Sequence, residues 1–142
     1  MDVENNVLLA TAICRRPETI IEHRYKPSVG STVPVDGSSM VGLLKGADYR
    51  RYCIDADFLA ALVKARRSAF SQQRIEYVHK TGANWAGPIK DFRLIVDKGS
   101  PNNLVSFCGQ GVRRIGSVQF EMRKSDFIPQ QDLAVLILKL ER

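Results

Sequence analysis

Apolar and polar residues alternate over much of this chain, which is the period of a strand with one buried face. Thr19 to Val29 puts Thr19, Ile21, His23 and Tyr25 on one side and Ile20, Glu22, Arg24 and Lys26 on the other, with Pro27 and Gly30 ending the run. Phe92, Leu94 and Val96 recur at period two. So do Val118, Phe120 and Met122, read as inward, with Gln119, Glu121 and Arg123 outward. Arg74 to Lys80, Leu104 to Cys108 and Val112 to Ile115 are further strand signals, the last a hairpin arm or short strand. Leu133 to Leu138 is apolar on both faces and reads as a central buried strand. Val7 to Ile13 fits either a strand or one buried helical turn.

One stretch breaks from this period. Asp55 is a good N-cap, Phe58, Leu59, Leu62 and Val63 follow at helical spacing, and Ala60, Ala61 and Ala65 are helix formers. The pattern predicts a helix from about Ala56 to about Ser68. Gly30 to Gly46 mixes Gly, Ser, Pro, Val and Asp without a period, so residues 30–46 read as a long surface loop or an ordered excursion. Turn residues separate three strand signals between Tyr77 and Cys108, which suggests a β-meander at the centre of the fold. The fold class expected is mainly β: an antiparallel β-sandwich of about seven strands with one helix inserted near 55–68. Phe92, Leu94, Val96, Phe120, Leu136 and Leu138 are expected in one core.

Length and composition sharpen this reading. The chain has 142 residues, 44% of them hydrophobic and 25% charged, so a single globular domain over 1–142 is expected and wholesale disorder is not. A net charge of +6 permits an anionic partner without requiring one. No apolar run is long enough for a membrane-spanning helix. Met1 to Asn6 carries Asp2 and Glu4 where an export signal places positive charge, so no signal peptide is read and a chain made as it stands would remain in the cytoplasm.

Candidate chemistry is sparse. The only tryptophan, Trp85, sits in the loop Asn84-Trp85-Ala86-Gly87-Pro88. Asn84 and Trp85 there could form a platform for a sugar or a peptide, against the alternative that Trp85 folds back onto the core. His23 and His79 could be drawn with Cys53 or Cys108 and with Asp91 or Asp97 as a nucleophile–base set, but the spacing does not support it. Two histidines and scattered carboxylates make no metal site, and no cofactor fingerprint is present. The doublets Arg15-Arg16, Arg50-Arg51, Arg66-Arg67 and Arg113-Arg114 lack interleaved aromatics and read as solvated side chains pairing with local acids, not as a nucleic-acid face. The three cysteines, Cys14, Cys53 and Cys108, lack the short spacing of a zinc or redox site. A bridge between Cys53 and Cys108 requires an oxidising compartment; the other reading is two buried thiols packing as small hydrophobes.

Several segments together resemble a known family. Tyr52-Cys53-Ile54-Asp55, Thr81 to Ile89, Asp91 to Gly99, Asn103 to Cys108, Phe120-Glu121 and Asp126-Phe127-Ile128-Pro129 are similar to the bacterial domain of unknown function DUF4424, as is His23 to Gly30. The likeness covers roughly Ile20 to Leu138. It has no established activity to carry over. The resemblance implies an exported protein of about twice this length with a β-rich N-terminal half, of which this chain corresponds to the C-terminal part. It therefore implies a periplasmic or secreted setting and favours the Cys53–Cys108 bridge, with Cys14 unpaired. A chain without that first half is expected to expose an apolar surface and to self-associate. Two functions follow. One is a non-enzymatic extracytoplasmic module that binds a protein or carbohydrate ligand; the other is part of a hydrolase or transferase whose site the N-terminal half completes.

Overall fold

The computed structural model describes residues 8–14, 19–25, 31–77 and 87–141. The fold is mainly β, with nine strands and three helices among those residues. Its contacts divide into two compact units. One comprises Met1–Pro27, Tyr77–Ser100 and Gly109–Leu133, and the other Ser28–Glu76, Pro101–Cys108 and Ala134–Arg142.

The first unit is a five-stranded antiparallel sheet. Its strands are β1 (Leu8–Cys14), β2 (Thr19–Tyr25), β5 (Ile89–Asp97), β7 (Arg113–Arg114) and β8 (Gln119–Phe127), in the order β2-β1-β5-β8-β7. Of the stretch Val7 to Ile13, the residues from Leu8 on are thus strand, not a helical turn, and Val7 lies outside the described residues. On β5 the expected alternation holds: Phe92, Leu94 and Val96 are buried between more exposed neighbours. Met122 on β8 is buried with them, and the Phe92 and Phe127 rings stack with centroids 4.7 Å apart. Val112 to Ile115 does form a hairpin arm, since β7 pairs with β8.

The second unit is a four-stranded sheet carrying helices. β3 (Val35–Asp36), β4 (Ala69–Tyr77), β6 (Leu104–Phe107) and β9 (Leu133–Glu141) lie in the order β3-β4-β9-β6. As the run of apolar residues predicts, β9 is an inner strand with Val135, Leu136, Ile137 and Leu138 fully buried. Helix α3 (Ala56–Lys64) starts where expected, with the Asp55 carboxylate accepting the Phe58 N–H at 2.8 Å. Phe58 and Leu62 pack with Tyr52, Phe70, Leu136 and Leu138 in one core.

Four expectations need correction. Residues 35–43 are not loop: they form β3 and α1 (Gly37–Leu43), capped by Asp36 through the Ser39 N–H at 2.9 Å. A third helix, α2 (Gly46–Arg51), follows, so the single inserted helix is one of three. The meander is absent, because β5 pairs with β1 and β8 while β4 and β6 each border β9 in the other sheet. The residues expected in one core are accordingly split. Leu136 and Leu138 belong to the helix-covered core, Phe92, Leu94 and Val96 to the five-stranded sheet, and Phe120 is only partly buried.

Candidate functional site

The second unit places its polar residues around α2. Cys53 follows the C-cap residue Tyr52 with a left-handed backbone, φ +50°. Its sulfur is bonded to that of Cys108, at the end of β6, with the Cα atoms 5.0 Å apart. Beside this bridge the Ser106 hydroxyl donates to the Tyr52 carbonyl at 2.8 Å, so β6 and the end of α2 are joined twice.

Asp48 is the buried acid of this unit. Its carboxylate accepts the Lys45 N–H at 2.8 Å and the Arg74 guanidinium at 2.9 Å. Burial alone would raise its pKa; the Lys45 N–H and Arg74 more than offset that and hold it below the ordinary value. Arg74 also donates to the Gln72 side chain at 2.9 Å and lies 5.6 Å from the centre of the Tyr52 ring. Arg51 reaches the same ring and pairs with Glu76. This network fastens α2 to β4.

The first unit has a different arrangement. Glu121, on β8, is only 2% exposed although it falls on the polar face of its strand. Its Oε2 accepts from Arg93 Nε at 2.6 Å, and its Oε1 accepts from Arg113 Nη2 at 2.6 Å and Nε at 3.1 Å. Arg123 stands 3.7 Å from Oε1. Hydrogen bonds from Arg113 and then Arg93 hold the carboxyl below the ordinary glutamate pKa, outweighing its burial. Register explains the convergence. Glu121 faces Arg113 on β7 and Ile95 on β5, and Arg123 faces Arg93. Three guanidiniums therefore surround one carboxylate, and their side chains remain 38%, 69% and 57% exposed for Arg93, Arg113 and Arg123. Nearby Lys98 is buried, which, with repulsion from Arg114, lowers its pKa.

Among the sequence candidates, Cys53 and Cys108 are brought together. Asn84, Trp85 and His79 lie outside the described residues. His23 is on β2 opposite Ala10, while Asp91 and Asp97 are on β5. Of the arginine doublets, Arg50-Arg51 belongs to α2 and Arg113-Arg114 forms β7; Arg66-Arg67 follows α3, where Val63 to Ser68 line an open depression of about 370 Å³. Arg15-Arg16 lies outside the described residues. The Glu121 cluster was not foreseen. Alternation marks Glu121 as facing away from the apolar side, but says nothing of what covers it. The signal available was the hairpin, whose short connection sets Arg113 opposite Glu121. Among the described residues no group of three or more metal-ligating side chains converges, and no helix is long and apolar enough to cross a membrane.

A family model described as domain of unknown function DUF4424 matches residues 13–136, most of the chain. No curated protein and no solved structure matches.

Proposed function

The chain belongs to the DUF4424 family, and from that premise we propose that it is a non-enzymatic binding module working outside the cytoplasm. The observation that carries the reading is the bond between Cys53 and Cys108, with Cys53 at the surface. Bridges of this kind form and persist in oxidising compartments, where they add stability to small domains. The two buried carboxylates support the non-enzymatic part. Asp48, by the Lys45 N–H and Arg74, and Glu121, by Arg113 and Arg93, are each held below the ordinary pKa, the opposite of the raised pKa a general acid needs at neutral pH. Both acids fasten structure and leave cationic surface outward.

The test is thiol trapping in the native host. Cells are quenched in acid and the denatured protein is tagged with a maleimide of added mass. One tag, on Cys14, supports the reading. Three tags would show a reduced protein and remove the case for an extracytoplasmic setting.

A further inference from the structure

We propose that the depression at the end of α3 binds a phosphate monoester, held by Lys64, Arg66, Arg67 and Ser68. This rests on the binding reading above and names its ligand class. The depression has a volume of about 370 Å³ and is lined by one short stretch, Val63 to Ser68. Lys64, Arg66 and Arg67 are all exposed there. Among the described residues their side chains make no hydrogen bond or ion pair.

The positive charge is in surplus. The second unit holds nine lysines and arginines against six acids, a surplus of three. Asp48 pairs with Arg74 and Glu76 with Arg51, away from the depression. Asp55 caps the other end of α3, Asp57 lies seven residues before Lys64, and Glu141 accepts from the Ser71 hydroxyl. Asp36 is the acid beside the segment, because its neighbour Gly37 bonds to it. Its carboxylate is spent on the Ser39 N–H and hydroxyl, each at 2.9 Å. Three cations against Asp36 leave two positive charges unmet.

The backbone adds a neutral donor. The Gly37 N–H donates to the carbonyls of Arg66 and Ser68, both at 3.1 Å. In a trans peptide the C=O and the following N–H point opposite ways. The Arg67 N–H is therefore aimed away from Gly37, and no described residue accepts it. The Ser68 hydroxyl likewise has no partner among the described residues. A helix C-terminus is the negative pole of its dipole and opposes an anion. Here that pole is blunted: the carbonyls of Ala61, Val63, Ala65 and Arg66 all accept backbone N–H groups, and Lys64 stands over the last turn.

The chemistry of the ligand follows from this donor set. Two unmet charges lie within four residues, too close together for two separate carboxylates to share without repelling each other. A phosphate monoester carries about two negative charges and three acceptor oxygens in one compact group. Arginine forks match it in pairs, and a lysine and a backbone N–H complete the cradle.

The experiment uses the full, oxidised chain in phosphate-free buffer at low salt. Equilibrium dialysis with radiolabelled phosphate and glycerol 3-phosphate reads the free ester; co-sedimentation with phosphatidylcholine vesicles doped with phosphatidate reads the same group on a lipid. Binding in either arm supports the proposal, and the arm in which it appears identifies the source. Arg66→Gln and Arg67→Gln should each weaken it by about tenfold or more. Their side chains have no partner to lose, so the urea midpoint should not move. Lys90→Gln removes the same charge from an exposed position in the other unit and should leave affinity unchanged. Equal weakening by Lys90→Gln would reduce the effect to net charge and overturn the proposal. So would competition by succinate as effective as that by phosphate at matched ionic strength, since the site would then not select the phosphoryl group. Absence of binding in both arms overturns this proposal alone; fully reduced cysteines in the trapping experiment overturn the extracytoplasmic reading alone.

Discussion

Gly37, the first residue of α1, lies against the end of α3 so closely that a Cβ on it would stand 2.8 Å from the Leu62 carbonyl oxygen. The same Cβ would come within 2.9 Å of the Arg66 Cα, and the Gly37 N–H donates to the Arg66 carbonyl at 3.1 Å. All these neighbours are backbone, so relief requires moving a helix. Gly37→Ala should therefore cost about 1–3 kcal/mol in urea unfolding. Gly42, in the same helix, has nothing within 4 Å of an added Cβ. Gly42→Ala should be neutral or stabilising by up to about 1 kcal/mol. Equal effects at the two positions would mean that α1 does not pack on α3.

Leu136 is fully buried in the helix-covered core. Leu136→Ala should lose about 2–5 kcal/mol, the transfer and cavity terms together. A loss under about half a kcal/mol in equilibrium unfolding would show that this face of β9 is not packed.

The bridge closes a loop with a sequence separation of 55. In the chain-entropy model a loop of that length is worth about 4 kcal/mol. Replacing Cys53 and Cys108 together by Ser should lower stability by roughly that amount. Reducing the wild-type chain should match it; if reduction leaves the urea midpoint unchanged, the bridge is not formed.

Glu121 gives the acid response a definite sign. Its pKa is lowered in the folded state from the ordinary value of 4.5. The stability it contributes is present above that unfolded value and is lost as pH falls through the lower, folded one. Glu121→Gln removes the negative charge from beneath three arginines and should destabilise the five-stranded sheet at neutral pH. The gap between wild type and variant should narrow as both are taken into acid. A gap that stays constant from neutral to acid pH would mean that the carboxylate is not paired.

Which parts were legible in the sequence follows from how local their causes are. Helix α3 is written within one turn, by Asp55 capping Phe58 and by apolar residues at helical spacing. The uninterrupted apolar run of β9 announces a strand buried on both faces. Helices α1 and α2 have seven and six residues, contain Gly37, Gly42 and Gly46, and carry no apolar period. They exist because Met40 and Tyr52 are buried from outside the helix and because Asp48 finds Arg74 on β4. The meander failed for a similar reason: turn residues mark where a strand ends but not which sheet the next one joins. Cys53 and Cys108 could be seen singly, and only resemblance chose to pair them.

The strand order also sets a timetable for the growing chain. Strand β9 is the last element along the sequence among the described residues, yet it lies between β4 and β6. Until it has been made, β3 and β4 on one side and β6 on the other share no neighbour, whereas β5 can already pair with β1 before β8 adds to it. The four-stranded sheet thus closes last, through pairings distant in sequence, which slows folding. Its unpaired strands are the part of the growing chain that must be kept from aggregating until β9 arrives.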